Sequence, residues 1–169
     1  MKLAAIEAIA SAFGDAGVRY LVVGGLAVAA HGYGRLTMDV DMVLQLHPEN
    51  VRRAMAILVS LGYHPHLPVS PESFADVETR ETWVRDKGMV VFQMVSTVHR
   101  DTPVDIFVSE PFDFDAEYNG ALVAPLAPGV ELRCASIGTL IAMKRLAGRP
   151  KDLEDIRQLE LLRDGPVRD

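Results

Sequence analysis

GGLAVAAHGYGRLTMDVDMVL, residues 24–44, sets a glycine turn at the start of a helix and then runs into an alternating strand. Just before it, Val18 to Val23 is a short β-branched and aromatic run of the kind strands favour. Behind the glycines, Leu26 to Ala30 is too alanine-rich for a strand and is predicted to be a buried helix, ended by Gly32, Tyr33 and Gly34. From Met38 to Leu46, the apolar Met38, Val40, Met42, Leu44 and Leu46 alternate with Asp39, Asp41 and Gln45, which is the period of a strand. Asp39 and Asp41 therefore share one face, roughly 6.5–7 Å apart along the backbone. Both halves of the segment have a chemical use. Glycine allows a ligand close to the backbone, and the first N–H groups of a helix are unpaired and lie at the positive end of its dipole, so Gly24 and Gly25 can receive phosphate oxygens. Neighbouring carboxylates bind hard cations such as Mg²⁺ through oxygen, and such cations bridge the oxygens of a triphosphate. Each feature alone is commonplace, the glycine pair as a tight turn and the alternating charge as a solvated strand face.

Outward from this segment the chain alternates helices and strands. Residues 2–16 place Leu3, Ile6, Ile9, Ala10 and Phe13 at helical spacing. Pro48 opens a helix carrying Val51, Ala54, Met55, Leu58 and Leu61, which Gly62 closes. Residues 63–87 hold three prolines and weak periodicity, and are predicted to be mostly irregular with a short helix near Pro71 to Val77. Met89 to Val95 and Pro103 to Val108 form a strand pair across a polar turn, and Gly120 to Pro125 pairs with Val130 to Cys134 around Pro128-Gly129. Helices over Ser136 to Ala147 and Pro150 to Leu162 close the chain. The expected architecture is α+β, a small mixed sheet with helices packed on one side and two C-terminal helices, in a single domain spanning residues 1–169.

Composition narrows the function. Half of the residues are hydrophobic (49%) and a quarter charged (24%), a globular balance. Apart from its glycines, Tyr20 to Ala30 is the longest apolar run, short of the ~20 residues of a membrane span. Glu7 and Asp15 interrupt any signal-peptide pattern, so a cytoplasmic protein with no membrane partner is expected. The single cysteine, Cys134, cannot make an internal disulfide and reads as a small hydrophobe in a strand. A net charge of −6 disfavours a broad nucleic-acid surface, although Arg145, Arg149 and Lys151, or Arg52 and Arg53, could form a local basic patch.

Further candidates surround the aspartates. Asp105, between Val104 and Ile106, supplies a third carboxylate on another short strand. Lys144 lies three and four residues beyond Ile141 and Leu140, on the inward side of its helix. It either snorkels at the core edge or turns its ammonium toward a phosphate. Asp152 and Asp155 open the last helix, where capping and a Lys151–Asp155 pair compete with a direct role in the site. Arg35 and Thr37 precede the aspartate strand and could contact phosphate or acceptor. His31 is expected to be structural or mouth-lining, and His64 and His66 have no further ligand for zinc nearby. Trp83 and Phe92 are available for base stacking or for ordinary packing.

Taken together, Gly24-Gly25, Asp39-Val40-Asp41 and Val104-Asp105-Ile106 resemble the motifs of the nucleotidyltransferase-fold (DNA polymerase beta-like) superfamily, with thirteen residues, Leu26 to Met38, between the second glycine and the first aspartate. Arg35 to Asp41, with Lys144 and the run Gly148 to Asp155, looks like its AbiEii-type toxin and small bacterial nucleotidyltransferase branch. The resemblance implies an enzyme that moves a nucleoside monophosphate from an NTP such as ATP to a hydroxyl acceptor. Asp39, Asp41 and Asp105 would be both metal ligands and catalytic groups for two Mg²⁺ ions, with Lys144 catalytic. Gly24, Gly25, Arg35, Thr37, Lys144, Asp152 and Asp155 would bind the nucleotide. The acceptor, whether tRNA, protein or small molecule, and an antitoxin partner belonging to a toxin–antitoxin system, lie at the far end of what the resemblance implies. The alternative is a catalytically silent nucleotide- or partner-binding module, disfavoured because three carboxylates repel one another without metal.

Overall fold

A computed structural model describes residues 1–165 of the chain. The elements in chain order are α1 (Leu3–Asp15), β1 (Tyr20–Val22), α2 (Gly24–Ala30), β2 (Val40–Leu44), α3 (Pro48–Ser60), β3 (Tyr63–Pro65), a 3₁₀ turn (Pro71–Ala75) and α4 (Val77–Lys87). There follow β4 (Val91–Ser96), β5 (Val104–Phe107), α5 (Phe114–Gly120), β6 (Leu122–Ala127), β7 (Val130–Cys134), α6 (Ile137–Ala147) and α7 (Pro150–Asp164). All strands join one seven-stranded mixed sheet in the order β3-β4-β5-β2-β1-β7-β6, larger than the small sheet expected. The α+β expectation and the two closing helices are met. No helix among the described residues is long and apolar enough to cross a membrane.

The core follows from the apolar stripes. Ile6, Ile9, Ala10 and Phe13 of α1 are buried, while Leu3, expected in the same stripe, is exposed at the first turn. On α3, Val51, Ala54, Met55 and Leu58 are buried as their spacing predicts. Buried Asn50 on the same helix bonds the backbone of Arg19 in both directions and donates to the Gln45 carbonyl, tying α3 to the sheet.

Residues 77–87 correct the sequence reading, for they form a full α-helix, not irregular chain. Asp76 caps it through Thr79 N (2.7 Å), and left-handed Gly88 ends it. Only Arg80 and Trp83 of this helix are buried, which is why no apolar stripe announced it. Trp83 stacks on Phe92 (centroids 5.4 Å apart) and Phe74 packs against Phe92 from the 3₁₀ turn. Both Trp83 and Phe92 are thereby enclosed in the core, so neither ring has a free face on which a base could stack.

This packing divides the two faces of the β4–β5 half of the sheet. Phe92 and Met94, with Val104 and Ile106, are buried on the side covered by the 3₁₀ turn and α4. Val91, Gln93, Asp105 and Phe107 alternate onto the other face and are only half-buried.

Candidate active site

Parallel pairing of β2 with β5 puts Asp41 directly beside Asp105. Asp39 lies in the bend just before β2, one residue outside the strand expected to hold it. It still converges: one carboxylate oxygen from each of Asp39, Asp41 and Asp105 lies within 4.8 Å of the others. Thr37 steadies the bend, its hydroxyl donating to the Asp39 carbonyl and side chain (3.3 Å each). Gln93, opposite Asp105 in the β4–β5 ladder, donates to the Asp105 carboxylate (2.9 Å).

Burial, and then the like charges of Asp39 and Asp105, push the Asp41 carboxyl up to about 6. Burial chiefly raises Asp105 as well, against the lowering effect of the Gln93 hydrogen bond. Among the described residues none of these three aspartates takes part in an ion pair. Three converging oxygen donors with no ion-pair partner, their charge offset only in part by nearby Arg149 and Lys144, fit a hard divalent cation of the Mg²⁺ type.

The glycine pair is explained first by space. Gly24 has φ +64°, and a Cβ there would overlap the Asp41 carboxylate. A Cβ on Gly25 would come within 2.8 Å of the Thr37 hydroxyl oxygen. The turn thus lets the aspartate strand close against the start of α2, where the Gly24 and Gly25 backbone borders the same cleft.

The cations are held by α6 and α7. Ser136 caps α6, and Glu117 on α5 accepts from Ser136 N (2.5 Å) and the Thr139 hydroxyl (2.6 Å), anchoring that end. Lys144, one turn beyond Leu140 and Ile141, is buried and pairs with Asp155 (2.6 Å) and Asp152 (3.6 Å). Asp155 also pairs with Arg35. The expected Lys151–Asp155 pair is not formed; Lys144 and Arg35 take that carboxylate instead. Asp152 caps α7 as expected, accepting from Arg149 N (3.1 Å) and from its guanidinium Nε (2.9 Å). Burial alone would raise Asp152, but the Arg149 hydrogen bonds and the Arg149 and Lys144 charges outweigh it and leave the carboxyl below the usual range.

One cleft of about 520 Å³ takes in Gly24, Gly25, Arg35, Thr37, Asp39, Asp41, Asp105 and Lys144, while Asp152 and Asp155 stand behind Lys144 and Arg149. Arg149 and Lys151, expected in a local basic patch, also line it, and their place in the sharp turn after Lys144 is the sequence signal for this. His31 lies elsewhere, its Nε2 2.8 Å from the Ala135 carbonyl, a structural link between α2 and the chain after β7. His64 and His66 join no metal cluster among the described residues. Cys134 is buried and its thiol is pushed up to about 12 by that burial, so it serves packing, not chemistry.

No protein-family model and no curated protein matches the sequence. Solved structures do match in shape. The chain is similar to ANT(2'')-Ia in complex with adenylyl-2''-tobramycin, with TM-score 0.55, 19% identity, and 96% of this chain and 94% of the other covered. It is also similar to the lincosamide antibiotic adenylyltransferase LnuA, lincomycin-bound (TM-score 0.57, 14% identity, 89% and 90% covered). A third match is an antigenic nucleotidyltransferase-like protein from Paracoccidioides brasiliensis (TM-score 0.54, 15% identity, 95% and 74% covered). At these identities the likeness concerns the fold, which is the nucleotidyltransferase fold, over nearly the whole chain.

Proposed function

We propose that the protein is a metal-dependent nucleotidyltransferase that moves a nucleoside monophosphate from an NTP to a hydroxyl acceptor. The observation that carries this is the meeting, in one cleft of this fold, of three unpaired carboxylates with a glycine turn and a braced set of cations. Asp39, Asp41 and Asp105 would hold two divalent ions such as Mg²⁺. Bound there, the ions supply Lewis-acid neutralisation of the phosphate oxygens.

The chain's own groups do the rest. The Gly24 and Gly25 backbone borders the cleft, so its amides would be the donors to phosphate oxygens, and Arg149 and Lys151 add positive charge at the cleft wall. Lys144 and Arg35 are held in place by Asp155, so they meet the triphosphate as fixed charges and need no reorganisation. Asp105, raised mainly by burial, is suited to accept the proton of the acceptor hydroxyl. The new bond forms between the acceptor oxygen and the α-phosphorus, the α–β bridging bond breaks, and pyrophosphate departs with the electron pair.

The AbiEii-type branch, with its tRNA acceptor and antitoxin partner, is supported by the Arg35 to Asp41 run and the Lys144 to Asp155 segment alone. The solved relatives, two of them enzymes acting on antibiotics, favour a small-molecule acceptor. The test is transfer of label from each α-³²P-NTP, with Mg²⁺, into separate tRNA, protein and small-molecule fractions. Label that enters one fraction and is lost in Asp39→Ala/Asp41→Ala supports the reading; a wild-type protein that neither binds nor turns over any NTP overturns it.

A further inference from the structure

The sheet register dictates what lies beside the base proposed for the acceptor. In the antiparallel β4–β5 ladder Gln93 faces Asp105, and two rungs along, on the same face, Val91 faces Phe107. Asp105 and Phe107 are two residues apart on the same face, so the aromatic ring starts roughly 6.5–7 Å along the strand from the carboxylate. Both point into the cleft, since their neighbours Val104 and Ile106 are buried on the other side. Val90 and Pro111 extend this apolar surface at the cleft wall, and Val90 is 62% exposed.

Charge completes the argument. Among the described residues that line the cleft the only carboxylates are Asp39, Asp41 and Asp105, and all three are assigned to metal. None is left to pair with the ammonium groups of a polyamine acceptor. Of the cations of the cleft, Lys144, Arg149 and Lys151 come from α6, α7 and the turn between them and Arg35 from the chain before β2, and the Val91–Phe107 rung carries none to track a nucleic-acid backbone.

We propose that the acceptor is a hydroxyl compound of little or no charge, with an apolar group next to the reacting hydroxyl, which lies on Val91, Phe107, Val90 and Pro111. This rests on the nucleotidyl-transfer reading of the site and names its substrate class. The hydroxyl proton goes to Asp105, the oxygen bonds to the α-phosphorus and pyrophosphate leaves, while the apolar neighbour covers the Phe107 ring and removes its surface from water.

The full-length protein is to be assayed with α-³²P-ATP and Mg²⁺ against three kinds of acceptor. These are neutral probes (n-octyl-β-D-glucoside below its micellar range, phenyl-β-D-glucoside and chloramphenicol), the polycation neomycin, and bulk tRNA. The expected result is that kcat/KM for the best neutral probe exceeds that for neomycin or tRNA by about tenfold or more. Phe107→Ser should raise the KM of that probe by about tenfold to a hundredfold, the loss of one covered aromatic side chain, with KM for ATP changed by less than about twofold. Val90→Asp, at an exposed position, should shift preference toward neomycin without loss of folding.

The outcomes separate the two levels of the argument. Absence of a Mg²⁺-dependent thermal shift with every one of ATP, GTP, CTP and UTP in the wild type overturns the transferase reading and this proposal with it. Mg²⁺-ATP binding with label entering neomycin or tRNA first, or none of the neutral probes, overturns the acceptor class alone. A rise in KM for ATP in Phe107→Ser would assign the wall to the nucleotide base and overturn it equally.

Discussion

Two sets of charges face the same cleft and are built on opposite principles. Asp39, Asp41 and Asp105 converge to within 4.8 Å with no cation partner among the described residues. Lys144, Arg35 and Arg149 are each tied to Asp152 or Asp155, which are almost fully buried. The acidic set holds like charges that a proton or a bound cation relieves, whereas the basic set is paired, three cations on two carboxylates, and acts as a brace. Charge without a partner is open to a cation, and charge with one is held rigid, whether it serves the fold or is presented to the cleft.

That contrast predicts opposite phenotypes. Asp39→Asn, Asp41→Asn and Asp105→Asn should each lower nucleotidyl transfer by about a hundredfold to a thousandfold while the fold survives. Steady-state transfer beside a thermal melt checks both halves. Loss of folding in these variants would break the comparison, because the acidic set would then be structural.

The basic set should fail the other way. Lys144→Met leaves two buried carboxylates short of a partner, and removal of one member of a buried pair costs about 3–5 kcal/mol, or roughly 6–20 °C in Tm for a chain of this size. Arg35 and Arg149 remain and hold the loss toward the lower end. Lys144→Met/Asp155→Leu should recover only part of it, since removing both charges removes their desolvation cost but leaves Arg35 without Asp155. Denaturant melts of the single and double variants measure the coupling, and strictly additive losses would show that no brace exists.

Gly24→Ala joins both sets of effects in one position. The backbone there is left-handed, and the added methyl meets the Asp41 carboxylate, so about 2–4 kcal/mol of stability should go, together with any Mg²⁺-dependent rise in Tm. A variant that melts like the wild type would show that the turn has room to spare.

The same contrast explains what the sequence could announce. The acidic set was legible because each aspartate sits between apolar residues at strand spacing, and a strand register needs no knowledge of distant parts of the chain. The brace was only half legible: the inward face of Lys144 follows from helical period, but its partner Asp155 comes from another helix across the Gly148-Arg149 turn. The partner of Arg35 is 120 residues away, beyond any local pattern. Helix α4 was missed for the reverse reason, since its burial rests on Trp83 and Arg80, not on a stripe. Its ends did carry signals, the Asp76 cap and Gly88 just beyond Arg85 and Lys87. The Phe107 rung was equally visible in the alternation of β5, but its place beside the cleft depends on α4 taking the other face.

The smallest effect tests the stored repulsion directly. The folded Asp41 carboxyl titrates at about 6, above its ordinary value of 3.8, so the folded state holds that proton more tightly than the unfolded chain does. Below 3.8 the group is neutral in both states and costs nothing; as pH rises through about 6 the folded state must accept the charge, and stability falls. In EDTA, Asp41→Asn should therefore be more stable than the wild type at pH 8 by about 1–2 kcal/mol, a figure reduced for the partial exposure of the group, and the gain should shrink to a small fraction of that at pH 4. Adding Mg²⁺ at pH 8 should reverse the order, because the cation stabilises only the protein whose carboxylates can bind it. A gain from Asp41→Asn that is the same at pH 4 and pH 8, or that Mg²⁺ leaves untouched, would mean that the three aspartates are not poised for a cation.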